Sequence, residues 1–317
     1  MPRRLQWIFY AILLGALGIV PFIALSLGEP YYLDLFTRVT IFAIAAVSLD
    51  LILGQAGILS FGHAVYLGIG GYSVAILDYY GINNGPLQFA TAIIASALVA
   101  LLIGITSLRT SGVYMIMITL AFGQMFYFLA VSMQSFGGDD GATINTHSNF
   151  GSFPDFSNPV TLFYCCYACL LLVLALGKLL IGARFGMALH GIKSNEPRMV
   201  AIGYPVFRYK LTAFVIAGIV CGLAGALLAN QGMFVSPAIM HWTRSGEIMM
   251  MVILGGVGSL IGPVLGAVIY LLLEDSLSSI SEHWQLALGV IVLLVVIFAR
   301  RGLLGLLDAR APQSRHV

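Results

Sequence analysis

The sequence predicts an all-α polytopic membrane protein with about ten transmembrane spans, some of them short or broken, and with both termini in the cytoplasm. Of its 317 residues, 60% are hydrophobic and only 9% are charged, and the mean hydropathy of +0.98 lies outside the usual range of soluble domains. Apolar windows of about 17 to 25 residues, the length that a helix needs to cross a bilayer, recur along the chain. We therefore expect residues 1–317 to form a single transmembrane domain.

The ten spans are predicted at the longest apolar windows. In chain order they are Trp7–Leu27, Val39–Leu53, Phe61–Leu77, Leu87–Leu108, Val113–Met133, Val160–Ile181, Leu211–Ala229, Gly246–Leu254, Ile261–Leu277 and Gln285–Phe298. Gly246–Leu254 is short enough to be a half-helix, and Phe61–Leu77 begins within a run of glycines. The first span follows Arg3 and Arg4, a pattern that also begins signal peptides, but its long apolar run without a small-residue cleavage site favours a span.

The distribution of Lys and Arg predicts the orientation. If ten spans alternate from a cytoplasmic N-terminus, thirteen cations lie inside and only Arg38 and Arg244 lie outside. The thirteen are Arg3, Arg4, Arg109, Lys178, Arg184, Lys193, Arg198, Arg208, Lys210, Arg300, Arg301, Arg310 and Arg315. This excess follows the positive-inside rule and supports an even number of spans, because removing a central span would move many cations across the membrane. The net charge of +2 therefore reflects topology, and no nucleic-acid partner is expected.

The chain is organised around Gly54–Tyr72, GQAGILSFGHAVYLGIGGY, where glycines and polar residues interrupt apolar sequence. Such a run in a membrane either packs tightly against other helices or lines a polar cavity. Its polar side chains are costly in hydrocarbon unless they face a partner or water, which makes a translocation pathway the first hypothesis. The candidate pathway residues are Asp50, Gly54, Gln55, Gly57, Ser60, Phe61, Gly62, His63, Tyr66 and Gly70.

Several of these candidates have competing structural explanations. On one helix, Gly62, Tyr66 and Gly70 would form a small-residue groove filled by one ring, and tight packing is the favoured interpretation of both glycines. For His63, a hydrogen-bonded structural or gating role is favoured over a proton relay, because no series of acids or histidines continues through the membrane. Asp50 is either functional, or lies at the interface or bonds backbone that the glycines free, and the residues alone leave both possibilities open.

A second glycine-rich segment, Leu254–Pro263, repeats the glycine density of the first. Paired interrupted segments in the two halves of a transporter point to its binding site or pathway. The sequence HWTRSGE that precedes this segment is expected to open a helix, with Thr243 or Ser245 as the N-cap and Glu247 in the first turn.

The longest outer loop is predicted at 134–159. It carries Asp139, Asp140 and Asp155 and contains no Lys or Arg. An acidic polar loop is usually a solvated surface, but in a transporter it also faces whatever delivers the solute.

The longest cytoplasmic connection is predicted at 182–210, and its middle contains the signals of a short helix. That helix is expected at Glu196–Ile202, with Ser194 or Asn195 as the N-cap and Gly203 as the stop. Because its apolar side chains have no membrane to enter, we expect it to dock on another protein.

Other function classes have little support in the sequence. It contains no phosphate-binding loop, zinc-protease motif or nucleophile elbow, so neither ATP hydrolysis by this chain nor a cofactor is expected. An ion-coupled transporter acting alone is the alternative function, and a membrane enzyme is a third. Both need more ionisable groups within the spans than Asp50 and His63 supply. The cysteines are expected to be buried free thiols and not metal ligands or disulfides: Cys165, Cys166, Cys169 and Cys221.

Four segments together resemble the permease subunits of bacterial branched-chain amino acid ABC importers, specifically the M-type subunit of the LIV system. They are GQAGILSFGHAVYLGIGGY (54–72), GGDDG (137–141), RFGMALHGIKSNEPRMVAIGYPVFRYKLTAFVIAG (184–218) and VILGGVGSLIGPVLGA (252–267). The resemblance covers essentially the whole chain. It implies a permease domain in the bacterial cytoplasmic (inner) membrane, in contact with membrane lipid. Its implied partners are a sister permease, two ATP-binding subunits and a periplasmic solute-binding protein.

The resemblance also implies roles for particular residues. The short cytoplasmic helix is the element on which the ATPase pushes. The implied coupling residues are Arg184, Glu196, Pro197, Arg198, Gly203 and Arg208. The resemblance also implies that Asp139 and Asp140 lie where the solute-binding protein docks.

The chain departs from the family pattern at two places. The family commonly has Asn at the position of Asp50, and here Glu196 is followed by Pro197 and Arg198 where many importer permeases carry a Glu-Ala-Ala-like motif. Permeases of this kind carry leucine, isoleucine and valine, and similar ones carry urea, short amides or aromatic acids. The resemblance therefore implies a branched-chain amino acid or a related small polar or amphipathic solute, delivered by the periplasmic binding protein.

Overall fold

The fold is almost entirely helical. A computed structural model of the chain describes residues 3–151, 154–280, 282–298 and 302–304. The helices are α1 (Arg3–Leu27), α2 (Pro30–Ala56), α3 (Ala64–Tyr79), α4 (Gly85–Ser107), α5 (Val113–Ser132), α6 (Pro159–Gly182), α7 (Arg184–Ser194), α8 (Glu196–Ala201), α9 (Val206–Gly232), α10 (Trp242–Gly255), α11 (Gly262–Ile280) and α12 (Trp284–Phe298). Two short strands, β1 (Ala142–Thr143) and β2 (Phe234–Val235), pair antiparallel, and 3₁₀ turns lie at Gln134–Phe136 and Pro237–Met240.

Each predicted span overlaps a helix, although the first three residues of Phe61–Leu77 precede α3. Within the described residues, six helices are long and apolar enough to cross a membrane, namely α2, α4, α5, α6, α9 and α11. The chain is therefore a multi-pass membrane protein. The count of ten spans and the cytoplasmic termini stay predictions, and of the orienting cations Arg300, Arg301, Arg310 and Arg315 lie outside the described residues.

Helix α2 lies at the centre of the bundle. Of the residues in its most apolar stretch, 94% are buried. The helix contacts α1, α6, α7, α9, α10 and α11. A helix that is apolar on all sides is suited to this central position, since no face of it requires water. The candidate Asp50 therefore lies on the most enclosed element of the fold.

Helix α9 packs closely on α3 and α4 through small residues. A β-carbon added at Gly70 of α3 would lie 1.9 Å from the carbonyl oxygen of Gly222, and one added at Gly225 would lie 1.9 Å from that of Leu67. Small residues let membrane helices approach this closely, and van der Waals contact then holds them together. This contact supports the packing explanation of Gly70.

Replacing Gly70 with alanine is expected to destabilise the protein. The added methyl group must displace the α9 backbone, and overpacking of this kind costs about 1–3 kcal/mol. Gly15→Ala is the matched control, because among the described residues nothing lies within 4 Å of a β-carbon added at Gly15. Melting temperatures of the purified variants in one detergent provide the measurement. Equal melting temperatures for the two variants would contradict the packing explanation.

The bundle has two distinct ends. The loop end carries residues 134–158 and is held by buried polar side chains: the Asp78 carboxylate accepts hydrogen bonds from the Asn145 amide (2.8 Å) and the Thr146 hydroxyl (2.6 Å), and the Asn230 side-chain oxygen accepts from the Ser148 amide (2.8 Å). The opposite end, which we call the junction end, carries α7, α8 and the turns that follow α2 and α10. The predicted orientation places the loop end outside and the junction end in the cytoplasm.

Candidate functional site

The glycine-rich segment after α2 interrupts the helical fold, as predicted. Helix α2 ends where Gly57 adopts φ +71° and its amide bonds back to the Ile52 carbonyl, a left-handed cap that glycine adopts without steric cost. Helix α3 begins only at Ala64, so residues 57–63 form a non-helical connection, here called the first break. The prediction that Gly62 shares a helical face with Tyr66 and Gly70 is wrong, because Gly62 precedes the helix.

A second interruption separates α10 from α11. Residues 256–261, here called the second break, contain Gly256 at φ 122° and Gly258 at φ 85°. The Ser259 hydroxyl donates to the Gly256 carbonyl at 2.8 Å, which closes the turn. Helix α10 has 14 residues, or about 21 Å at 1.5 Å per residue, so it is too short to cross the roughly 30 Å hydrocarbon layer and fits the expected half-helix.

The second break contacts the end of α2 beside the first break. The Gly258 amide donates to Asp50 Oδ1 at 2.7 Å, and the Gln55 side-chain amide donates to the Gly258 carbonyl at 3.3 Å. A β-carbon added at Gly54 would lie 2.6 Å from the Gly258 α-carbon, so the two backbones touch. We call this contact of Asp50, Gly54 and Gln55 with Gly258 the junction. It joins the two glycine-rich segments that the sequence paired only by composition.

Asp50 satisfies backbone that the glycines leave free. It is 1% exposed, and its Oδ1 holds the amide of Gly258. Its second oxygen, Oδ2, is buried and has no hydrogen-bond partner among the described residues. A buried carboxylate with one free oxygen is an uncommon arrangement, which makes Asp50 the most unusual polar group at the junction.

Helix α7 lies against the junction. The Lys193 ammonium group, in the last turn of α7, donates to the Gly54 carbonyl at 2.6 Å. Helix α7 was not predicted. Its buried face, Gly186, Ala188, Leu189 and Ile192, belongs to an element that contacts α2, α6 and α9. The connection at 182–210 is therefore joined to α2 near both breaks.

The short helix of this connection matches its predicted capping. The Asn195 side-chain oxygen accepts from the Arg198 amide at 3.0 Å, and Gly203 adopts φ +90° one residue after the C-cap. The helix ends at Ala201, one residue earlier than expected. Val200 and Ile202 are 58% and 64% exposed, whereas Met199 packs on Gly191 of α7. This surface has the apolar character of a docking site.

The first turns of α3 and α10 meet deeper in the bundle. The Ala64 amide donates to the Ser245 hydroxyl at 3.0 Å. The prediction that Thr243 or Ser245 caps α10 is wrong: the N-cap is His241, and Ser245 instead satisfies an amide at the start of α3. Half-helices that start beside each other place the positive ends of two helix dipoles in one region.

The polar residues of the first break are mostly buried. His63 is fully buried, with Nε2 2.8 Å from the Ser48 hydroxyl and its ring edge-on to Tyr66. Ser60 is 1% exposed, and its hydroxyl has no partner in the part of the chain that the structure describes. The hydrogen bond of His63 is the kind expected of a structural or gating residue.

The sequence candidates thus fall into four groups in space. At the junction or next to it lie Asp50, Gly54, Gln55 and Gly57. The rest of the first break contains Ser60, Phe61, Gly62 and His63, and the packed interface with α9 contains Tyr66 and Gly70. The remaining candidates are exposed: Asp139, Asp140, Arg184, Glu196, Pro197, Arg198, Gly203 and Arg208. Sequence reasoning missed Gly258 and Lys193 as partners of α2. The paired glycine segments contained a signal for the first, whereas the sequence contained none for the contact of Lys193.

Comparison with known proteins identifies the family of the chain. A family model described as the permease component of branched-chain amino acid transport systems matches residues 31–299. The chain is 27% identical over 317 residues to the high-affinity branched-chain amino acid transport system permease protein LivM of Escherichia coli (strain K12), covering 91% of this chain and 74% of that protein. It is 29% identical to LivM of Salmonella typhimurium (strain LT2), covering 86% and 69%.

Relatives with a different named solute also match. The L-arabinose ABC transporter permease protein AraH of Azospirillum brasilense is 26% identical over 310 residues, covering 94% of this chain and 80% of that protein. No solved structure shows a significant match. The similarity therefore extends to amino acid and sugar permeases alike.

Proposed function

The chain belongs to the family of permease components of branched-chain amino acid transport systems, and from this membership we propose that it is the membrane-spanning subunit of an ATP-driven importer. It is a transport component and not an enzyme, so ATP hydrolysis belongs to separate subunits. The proposed complex contains a sister permease, two ATP-binding subunits and a periplasmic solute-binding protein, in the bacterial inner membrane.

The observation that carries this proposal is the junction. Two interrupted helices meet there, and the cytoplasmic connection that would receive a push from an ATPase contacts the same point through Lys193 and Gly54. Broken helices supply backbone groups for a solute and points at which packed segments can shift. An importer needs both properties in one place.

The proposed solute is a branched-chain amino acid. The two LivM relatives support it by name, and the carboxylate of a zwitterion would be favoured near the positive dipole ends where α3 and α10 start. Sugars are the competing class because AraH is comparably similar. Uptake into vesicles that contain the whole complex and its matching binding protein, with leucine, arabinose, urea and an aromatic acid as competitors, decides between them. Competition by arabinose without competition by leucine would contradict the amino acid assignment.

We assign the pathway to the candidates at the junction and in the first break, from Asp50 through His63. Gly57 and Leu59 are exposed, and Phe61 is half-buried, so part of this segment already meets the surface of the chain. Tyr66 and Gly70 remain candidates, although their packing against α9 supports a scaffold role. At the loop end, exposed Asp139 and Asp140 would meet basic side chains of the binding protein.

Replacing Glu196 with lysine is expected to separate ATP hydrolysis from transport. Glu196 pairs with Lys210 at 2.6 Å and lies in the first turn of α8, where a negative charge is favoured. Lysine would repel Lys210 and shift α8 on the surface that faces the ATPase. The uptake per ATP hydrolysed should fall about tenfold, a size typical of coupling between sites. Glu196→Gln is the milder control, and a wild-type ratio in Glu196→Lys would contradict the coupling role.

Gly203→Val is expected to have the same effect for a different reason. Gly203 adopts φ +90°, which a β-branched residue cannot adopt without strain, so the turn after α8 must rearrange. Unchanged coupling in this variant would show that the turn geometry does not matter for transport. The spans themselves should stay folded, which a melting curve of the complex checks.

The competing function, an ion-coupled transporter that acts alone, leads to a different result. The purified chain in liposomes would then accumulate solute under an ion gradient without ATP. Such accumulation would overturn the importer proposal.

A further inference from the structure

Lys193 occupies a position that the importer proposal does not yet use. It lies in the last turn of α7, two residues before Asn195 caps α8. Its ammonium group donates to the carbonyl of Gly54, and its side-chain stem lies over Gly57, where an added β-carbon would be 3.2 Å from Cγ. One side chain therefore spans the last turn of α2 and the start of the first break.

The charge of Lys193 suits this position. The last carbonyl groups of a helix lack intrahelical partners and carry the negative end of the helix dipole, so an ammonium group there is stabilised. Lys193 also attracts the carboxylate of Asp50, which holds the second break through Gly258. The lysine thus contacts the end of α2 and the first break directly, and it acts electrostatically on the carboxylate that holds the second break.

Helices α7 and α8 are mechanically connected. Asn195 is the only residue between them, and Met199 of α8 packs on Gly191 of α7, where an added β-carbon would lie 2.8 Å from the Met199 sulfur. The exposed residues of α8 face away from the bundle, whereas Ile192 and Leu189 of α7 are buried in it. A displacement of α8 therefore reaches the C-terminal end of α7, where Lys193 lies.

We propose that Lys193 is a positioning residue that transmits movement of α8 to both helix breaks, an inference that rests on the proposed importer function. In this mechanism a shift of α7 pulls or releases the Gly54 carbonyl and changes the contact of Gly54 with Gly258. This role requires no contact of Lys193 with ATP or solute. A cation that only satisfied the positive-inside rule or bound anionic lipid would not need a hydrogen bond to a buried backbone carbonyl.

Lys193→Met tests the proposal, because methionine keeps much of the stem and removes the donor and the charge. In the assembled importer, we expect ATP hydrolysis to continue and uptake per ATP to fall about tenfold, with Lys193→Arg retaining more coupling than Lys193→Met. Arg109→Met, which removes an exposed cation from the turn between α4 and α5, is the matched control and should transport normally.

A second measurement distinguishes transmission of movement to the helix breaks from a loss of stability of the complex. A cysteine at exposed Leu59, in a background without native cysteines, should react with a water-soluble thiol reagent at a rate that depends on nucleotide in the wild type but not in Lys193→Met. Two results would overturn the proposal. In the first, Lys193→Met keeps the wild-type uptake per ATP and the nucleotide-dependent labelling of the Leu59 cysteine. In the second, less complex assembles, but each assembled complex keeps the wild-type uptake per ATP. If the wild-type complex itself shows no ATP-driven uptake, the importer function fails first, and the role of Lys193 fails with it.

Discussion

Gly54→Ala is expected to abolish most solute uptake. A β-carbon at Gly54 would lie 2.3 Å from Asp50 Oδ1 and 2.6 Å from the Gly258 α-carbon, and the second of these contacts is with backbone that cannot rotate away. The junction must therefore open by displacement of the second break. Overpacking of this kind costs about 1–3 kcal/mol where the surroundings can adjust and more where they cannot.

The control for this variant is Gly246→Ala. Gly246 lies in α10, and among the described residues nothing is within 4 Å of a β-carbon added there. Uptake, ATP hydrolysis and the yield of assembled complex should be measured for both variants. Normal uptake by Gly54→Ala would contradict the claim that transport requires close contact at the junction.

Asp50→Leu is expected to have the second largest effect. Leucine has the same branched arrangement of heavy atoms as aspartate, but its methyl groups are bulkier and accept no hydrogen bond, so the Gly258 amide would lose its partner. An unsatisfied buried amide costs about 1–3 kcal/mol, and the second break would lose its attachment to α2. The ammonium group of Lys193 would lose the neighbouring carboxylate as well.

Asp50→Asn distinguishes the hydrogen bond from the charge. Asparagine keeps an acceptor oxygen for Gly258 and can offer its amide group where Oδ2 now lacks a partner. We expect Asp50→Asn to retain most uptake and Asp50→Leu to lose most of it, with ATP hydrolysis measured in parallel. Equal loss in both variants would show that the negative charge, and not the attachment of the second break, is required.

The sequence predicted the helices well because membrane helices are recognised from long apolar windows. Gly57 and Gly203 were both expected at interruptions, and each adopts a positive φ that other residues avoid. Helix α7 was missed because RFGMALHGIKS contains two glycines and no long apolar run. Packing of Leu189 and Ile192 against the bundle stabilises it, and contacts of that kind are not visible in local sequence.

The candidate site was predictable only in part. Two glycine-rich segments could be paired by composition, but which atoms would meet depended on a fold that places Gly258 beside Asp50, 208 residues earlier in the chain. Ser245 shows the same limit. Its sequence context is that of an N-cap for its own helix, yet the amide that it satisfies belongs to Ala64, 181 residues away.

Thiol labelling at Ser60 tests most directly whether the first break lines the solute pathway. A single cysteine replaces Ser60 in the assembled importer after Cys165, Cys166, Cys169 and Cys221 have been removed. Serine to cysteine is a small change, and Ser60 is 1% exposed here, so reaction with a water-soluble reagent requires the break to open. Cysteines at exposed Leu59 and at fully buried Ser96 in α4 are the positive and negative controls.

The pathway assignment predicts that Ser60→Cys reacts in at least one nucleotide state and that solute delivered by the binding protein slows this reaction. The packing alternative predicts a residue as inert as Ser96→Cys throughout the ATP cycle. Inertness of Ser60→Cys in every nucleotide state, with Leu59→Cys reactive in at least one of those states, would contradict the assignment of the first break to the pathway.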